Sequence, residues 1–362
     1  MTQRIRVLLL IPHLGGGGAE QVTALLAQGL SAEKYDVHLG LVTGSAAPAR
    51  LMQQVTIHSI GARRVRSAAL PLIRLVRRLR PHVVLSGMAH LNFLVLLLQS
   101  FFPRLTRVMV RQNATVSSAL AADRRRGLTR RLYRLLYRRS DCVICQSRAM
   151  ADDLAAELDV APQRIAVLAN PLDVERIRAA REGASLWCGP GPHLLAVGRL
   201  AAEKGFDLLL EALAAVRLEF PAADLVIAGD GSERSALEKL ARGLRLDSAV
   251  HFAGYLNDPC CFYPGTALFV LSSRREGMPN ALLEAAAGGL PLVALPASGG
   301  VVDFLADCPG AWVAGSISAA ALSEALLTAL RTVAPGERFE RTAMEDYGDA
   351  VGGYETLIDA IL

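Results

Sequence analysis

Residues 272–295 read SSRREGMPNALLEAAAGGLPLVAL. Pro279 suits the first turn of a helix, Gly288 and Gly289 suit its end, and Pro291 forbids continuation. The stretch therefore predicts a short helix between two apolar runs, which is the repeating unit of a sheet with crossover helices. Glu276 falls just before this helix and Glu284 on its second turn, with seven residues between them. A carboxylate accepts hydrogen bonds without donating any, so two of them a turn or two apart can grip the hydroxyls of a polyol.

Outward from this segment the same alternation runs through the whole chain. RVLLLI, DVHLGLV, HVVLS, RVMVRQ, CVICQS and RIAVLAN are separated by helical patterns, and after the Gly/Pro-rich stretch 182–193 the rhythm restarts with HLLAVG, DLVIAG, VHFAG, ALFVLS and PLVAL. Continuous apolar runs of this length mark parallel strands buried on both faces. A length of 362 residues suits two cores rather than one. The expectation is an α/β protein of two doubly wound domains joined near residue 185, with the ligand crevice at the carboxyl ends of the strands, facing across the seam.

Composition excludes disorder: 52% of residues are hydrophobic and 20% charged. The start, MTQRIRVLLLIPH, has too short an apolar run for a signal peptide and reads as a first buried strand of a cytoplasmic protein. The run LNFLVLLLQSFF (91–102) is likewise too short to span a bilayer and reads as a core helix or an interfacial segment. Cys142 and Cys145 form one CxxC on a strand, where they face opposite sides, and no second pair or histidine cluster completes a zinc site. Reduced thiols are expected, and no metal.

Charge divides the chain. Residues 1–180 carry 26 basic and 11 acidic side chains, net +15, whereas 181–362 carry 13 and 23, net −10. Much of the excess lies in RRVRSAALPLIRLVRRLR (63–80) and RRRGLTRRLYRLLYRR (124–139), whose arginines alternate with Leu, Val and Tyr at near-helical spacing. That pattern fits either a solvated helix face or a helix lying on anionic lipid. No zinc-finger spacing or aromatic RNA-reading motif accompanies it, so nucleic acid is not the expected partner.

Several strand ends carry glycine turns. IPHLGGGGAE (11–20) places four glycines between a strand and a helix, where backbone amides can approach an anion, yet it matches neither a P-loop nor a dinucleotide fingerprint. VGRLAAEKGFD puts Arg199 just after a strand and Lys204 five residues on, at one of three lysines among 39 basic residues. A guanidinium and an ammonium at a strand end suit a diphosphate. AGDG, with Gly229 and Gly231, forms a further strand-to-helix turn.

Taken together, GGGGAE, NPLD (170–173), VGRL with KGFD, AGDG, EGMPNALLEA and SGGVVDFL resemble the retaining glycosyltransferases of the GT-B fold, in the family-four (group 1) type marked by two glutamates seven residues apart. The resemblance implies two Rossmann-like domains facing across a cleft: an acceptor-binding domain over 1–182, a nucleotide-sugar domain over 183–345, and a final helix, 346–362, crossing back to the first. It assigns Arg199 and Lys204 to the donor diphosphate, Glu284 to the ribose, and Glu276 with the amides of Gly277, Met278 and Asn280, around Pro279, to the transferred sugar. Leu283 and the turn at Gly254 would flank the base, and Gly198 and Gly229 would line the donor. Gly16 and Gly17 would approach the phosphates and the acceptor. Departing diphosphate would be stabilised by Arg199, Lys204 and helix amides while the sugar becomes oxocarbenium-like. No cofactor or metal is implied, and the sequence contains no Asp-x-Asp motif.

Two departures stand out. Where many relatives carry a histidine in the first domain, this chain has Arg111, Gln112 and Asn113, which the resemblance places on the acceptor side; and Asp303 stands where glutamate is frequent. The function implied is transfer of a hexose or N-acetylhexosamine, from a UDP-linked donor rather than a GDP-linked one, to a lipid-linked or surface-polysaccharide glycan. A polyprenyl-diphosphate acceptor at the anionic inner leaflet would suit the basic first half, with the protein peripheral on the membrane. The alternatives are a nucleotide-sugar epimerase of the same fold and a catalytically silent nucleotide-sugar-binding scaffold.

Overall fold

A computed structural model of the chain describes residues 4–15, 17–43, 53, 55–121 and 126–362. It divides into two units, Met1–Leu172 with Asp346–Leu362, and Asp173–Glu345.

Among the described residues the first unit forms a seven-stranded parallel sheet from β1 (Ile5–Ile11), β2 (Tyr35–Leu41), β3 (Thr56–Ser59), β4 (Val83–Ser86), β5 (Arg107–Arg111), β6 (Cys142–Cys145) and β7 (Ile165–Val167), in the order β3-β2-β1-β4-β5-β6-β7. The crossovers carry α1 (Gly18–Gly29), α2 (Ala69–Leu79), α3 (Ala89–Leu98), α4 (Val116–Ala121), α5 (Arg126–Tyr137) and α6 (Arg148–Leu158). Alternate residues of β1 feed separate cores: Val7, Leu9 and Ile11 join one layer with Val22 and Leu26 of α1, and Leu8 and Leu10 join the other with Val95 of α3 and Leu154 of α6. This is why the run reads as continuously apolar rather than alternating. The run 91–102 is α3 followed by one 3-10 turn, with Leu91, Val95 and Leu96 buried and Leu97 and Phe101 exposed. Cys142 and Cys145 are buried free thiols on β6.

In the second unit α7 (Val174–Ala180) precedes β8 (His193–Val197), α8 (Phe206–Val216), β9 (Asp224–Ala228), α9 (Arg234–Gly243), β10 (Val250–Gly254), β11 (Leu268–Leu271), α10 (Asn280–Ala287), β12 (Leu292–Ala294), α11 (Gly299–Ala306), β13 (Ala311–Val313) and α12 (Ala319–Thr332). Its sheet is parallel and ordered β10-β9-β8-β11-β12-β13. Ser298 and Ser318 cap α11 and α12 by accepting from Val301 N and Ala321 N. The break between units falls after Leu172, not at 182/183. Helix α7 belongs to the second unit, where it packs on α10 and holds Asp258 through Arg176 at 2.6 Å, whereas the Gly/Pro-rich stretch leads into β8.

The chain then runs through α13 (Met344–Gly348) into α14 (Ala350–Ile361), which packs on the first sheet. Tyr354 and Ile358 enter the core beside Val7 and Leu26, and Glu355 accepts from the Ser31 amide at 2.8 Å. Each sheet reverses its strand order once, between β1 and β4 and between β8 and β11. Ligands of doubly wound sheets bind outside the carboxyl ends at such reversals.

Candidate active site

At the reversal of the second sheet, the loops leaving β8 and β11 lie against one another. Ser272 Oγ donates to the Lys204 carbonyl at 2.9 Å, and the Arg274 amide donates to the Glu203 carbonyl at 2.8 Å. Gly205 makes the approach possible. Its φ is +62°, and a Cβ there would lie 2.1 Å from the Ser272 carbonyl oxygen. Arg274 ties the far side by a bidentate pair to Asp207 at 2.6 and 2.7 Å, which holds the Asp207 carboxyl below its ordinary range.

The result is one compact charged group. Lys204 Nζ stands 2.5 Å from Glu276 Oε1, and Ser273 Oγ donates to the same oxygen at 2.6 Å. The side chains are 23% and 11% exposed, so the pair is shielded yet reachable from solvent. Glu276 precedes α10, whose first residue is Asn280 and whose N-cap is Pro279. Gly277 is fixed by Ser298 Oγ, which donates to its carbonyl at 3.1 Å. Helix α10 ends as its sequence requires, with Gly288 at the cap and Gly289 in the left-handed region.

The remaining expected residues fall into three groups. Arg199 follows β8 but is 71% exposed and paired with Glu203 at 2.6 Å, outside the Lys204–Glu276 cluster. Gly198 continues the strand ladder through its amide to the Ala228 carbonyl, and Gly229 is bare because a Cβ there would lie 1.8 Å from the Gly198 carbonyl oxygen. Gly254 accepts from the Gly229 amide at 2.7 Å, closing these loops together. Met278 is mostly enclosed. Leu283 exposes none of its surface, so its side chain supports α10 from within rather than facing a base.

Glu284 is buried on α10. Its charge adds to burial in pushing up the Cys260 thiol, to about 12, and to the Asp258 pairing in raising the Arg176 guanidinium. Arg176 thus feels the charge of Glu284 while Asp258 holds it, and sequence reasoning missed both. Ser273 was missed too, although it sits inside the quoted segment; only the fold shows that its hydroxyl turns to Glu276.

In the first unit Gly16 lies outside the described residues, and Gly17 is the N-cap of α1. Arg111 ends β5 and Gln112 and Asn113 follow it, but Arg111 and Gln112 are interior groups. Arg111 donates to Asn113 Oδ1 and Asn170 Oδ1, Gln112 accepts from Tyr137 Oη at 2.8 Å and donates to the Ala114 carbonyl at 2.9 Å, and Asn113 donates to the Gly87 carbonyl. Gln112 is satisfied at both ends by the protein itself. Among the described residues no group of three or more His, Cys, Asp or Glu side chains could hold a metal ion.

Two family models cover most of the chain: the one described as Glycosyltransferase Family 4 matches residues 16–176, and Glycosyl transferases group 1 matches 191–332. The chain belongs to the group 1 glycosyltransferases. This glycosyltransferase is 27% identical, over 83% of both chains, to N-acetylgalactosamine-N,N'-diacetylbacillosaminyl-diphospho-undecaprenol 4-alpha-N-acetylgalactosaminyltransferase of Campylobacter jejuni. It is 32% identical to the lipopolysaccharide core biosynthesis glycosyltransferase LpsE of Rhizobium meliloti over 45% of this chain and 46% of that one, so it spans under half of that relative. Among solved structures it resembles HepE of Anabaena in complex with UDP and glucose, with TM-score 0.73, 17% identity and coverage of 99% and 97%. WaaG, described as a glycosyltransferase involved in lipopolysaccharide biosynthesis, matches with TM-score 0.69, 18% identity and 99% coverage of both chains. The fold of this glycosyltransferase is GT-B.

Proposed function

We propose that this glycosyltransferase moves a hexose or N-acetylhexosamine from a UDP-sugar to a lipid-linked or surface-polysaccharide glycan, with retention of configuration and without a metal. The observation that carries the reading is the Lys204–Glu276–Ser273 group at the strand reversal of the second unit. Glu276 is a fixed acceptor for sugar hydroxyls. Lys204, already beside it, is the cation that a donor diphosphate would draw away from the carboxylate, and the exposed Arg199 would leave Glu203 for the same phosphates. Charge building on the leaving diphosphate in the transition state is then met by groups already in place. Glu284, on the buried side of α10, receives the ribose, and the amides at the start of α10 receive the transferred sugar. HepE, with UDP and glucose bound, supports the donor class, and the Campylobacter relative's acceptor supports a polyprenyl-diphosphate-linked glycan.

A polyprenyl-diphosphate-linked acceptor would be met at the inner membrane face, and the reading extends to a peripheral association of the protein there. Helix α5 supports this with exposed Leu128, Leu132 and Leu135 among Arg126, Arg130, Arg131 and Arg134, of which Arg130 pairs with Glu157 and Arg134 with Asp159. Leucines that enter lipid between arginines that meet anionic headgroups are the pattern of a helix lying on a membrane. No described helix is long and apolar enough to cross one.

The test is UDP release from a panel of UDP- and GDP-sugars, with and without EDTA and membrane lipid extract, by the wild type, Glu276→Ala and Arg199→Ala. Release from a UDP-sugar that persists in EDTA and is lost in both variants is expected. Binding of nucleotide sugars without release, even with lipid extract, would overturn the enzyme reading in favour of a scaffold.

A further inference from the structure

Gly15 and Gly17, in the run that follows β1, are bare for a reason local to two side chains. His13 folds back on the run: its Nδ1 accepts from the Gly15 amide at 3.0 Å, and a Cβ on Gly15 would lie 2.6 Å from that nitrogen and 2.9 Å from Cε1. Glu20, in the first turn of α1, folds back the same way, and a Cβ on Gly17 would lie 2.4 Å from its Oε2. The two side chains face each other, with His13 Nδ1 3.7 Å from Glu20 Oε1. Glycine at 15 and 17 thus makes room for an imidazole and a carboxylate beside the strand reversal of the first sheet.

The electrostatics indicate what could bind there. A helix N-terminus attracts anions, but Glu20 sits on the first turn of α1 with its side chain 9% exposed, and its negative charge offsets that attraction. A diphosphate would meet a carboxylate, so the loop suits a neutral polyol. His13 has the opposite standing, with its side chain 47% exposed. Because Nδ1 accepts from the Gly15 amide, the other ring nitrogen, Nε2, is the one that carries the proton when the ring is neutral, and the ring is half exposed. His90, at the start of α3 after β4, is close enough that the charge of His13 adds to burial in lowering its pKa.

Resting on the functional reading above, we propose that His13 is an acceptor-binding residue, whose Nε2–H donates to a hydroxyl oxygen of the accepting glycan, and that Gly15 and Gly17 are required to seat it and Glu20.

A double-mutant cycle tests this, because Gly15→Ala displaces the imidazole without deleting it. Wild type, His13→Ala, His13→Gln, Gly15→Ala and His13→Ala/Gly15→Ala are compared for transfer to synthetic polyprenyl-diphosphate-linked mono- and disaccharides, for UDP affinity by calorimetry and for thermal unfolding. Expected are a loss of roughly ten- to a hundredfold in acceptor kcat/KM for His13→Ala and for Gly15→Ala, and partial rescue in His13→Gln, which keeps an N–H donor. UDP affinity should stay within twofold, and Gly15→Ala should cost nothing further once His13 is gone. Transfer by His13→Ala at the wild-type rate, additive losses in the double variant, or parallel loss of UDP affinity or of folding would overturn the assignment while leaving the glycosyltransferase reading intact. A wild type that transfers to none of these acceptors, while releasing UDP only to water, would overturn the acceptor class and the role of His13 together.

Discussion

Lys204 and Glu276, 72 positions apart in the chain, hold each other at 2.5 Å, and Ser273 completes the contact from the same side. A pair this shielded is neutral as a unit, and bringing in a diphosphate means exchanging one anion for another around the lysine. Lys204→Ala should therefore weaken UDP-sugar binding and lower kcat/KM about a hundredfold, or ~2.7 kcal/mol of transition-state stabilisation. Steady-state kinetics at varied donor concentration measures both. Glu276→Gln keeps the shape, loses the charge and should lower kcat more than it raises the donor KM.

Gly205→Ala is expected to act on the same pair from a distance. The new methyl has no room against the Ser272 carbonyl, and a φ of +62° disfavours any side chain. A destabilisation of about 1–3 kcal/mol follows, together with a drop in donor affinity as the Lys204 loop lifts from β11. Thermal unfolding and UDP calorimetry on one preparation would separate the two effects.

Arg176→Met should lower stability by about 1–2 kcal/mol. The variant leaves Glu284 buried without its neighbouring guanidinium, but the arginine is itself one-third exposed, which reduces the loss below that of a fully buried pair. Donor binding should fall with it, since Glu284 loses the guanidinium whose charge it faces. A denaturant melt and UDP calorimetry, both at pH 7, are the checks.

The buried thiols give a pH prediction. Burial pushes Cys142 up to about 11 and Cys145 and Cys260 up to about 12, from an ordinary value of 9.0. Their contribution to stability is complete below pH 9, where unfolded thiols are still protonated, and is lost as pH rises from 9 toward 11–12. In a thiol-reagent titration at pH 8, exposed Cys188 should react first, with Cys142, Cys145 and Cys260 reacting only on unfolding.

Leu132→Glu with Leu135→Glu on α5 should reduce sedimentation with vesicles containing anionic lipid, without changing turnover on a water-soluble acceptor. Binding by the wild type should fall with added salt, because arginines supply much of it.

The interior strands were legible because they are buried on both faces and appear as unbroken apolar runs, such as Val7–Ile11 or Leu268–Leu271. Of the four strands at sheet edges, β7 and β10 still carry enough apolar residues to be read, and β3 and β13 do not. Thr56–Ser59 and Ala311–Val313 are short, partly exposed and carry no such run. The start of the second unit was misread for a related reason: glycine and proline mark a turn, but what assigns α7 is its packing on α10 and the Arg176–Asp258 contact across 82 positions. At the site, the spacing of Glu276 and Glu284 was visible from the quoted segment alone. The inward turn of Gln112, the enclosure of Leu283 and the reason for Gly15 and Gly17 depend on neighbours distant in sequence or on side-chain direction, which local pattern does not encode.

The return of α14 to the first sheet has a topological consequence. The Leu172 amide donates to the Tyr347 carbonyl at 3.1 Å, so the chain leaves the first unit and re-enters it at a single point. Residues 173–345 are in effect a cassette inserted into an otherwise continuous domain. One excision with a short bridging peptide should leave the first unit foldable, and one exchange at the same two joints would replace the whole second unit without cutting a strand of the first sheet.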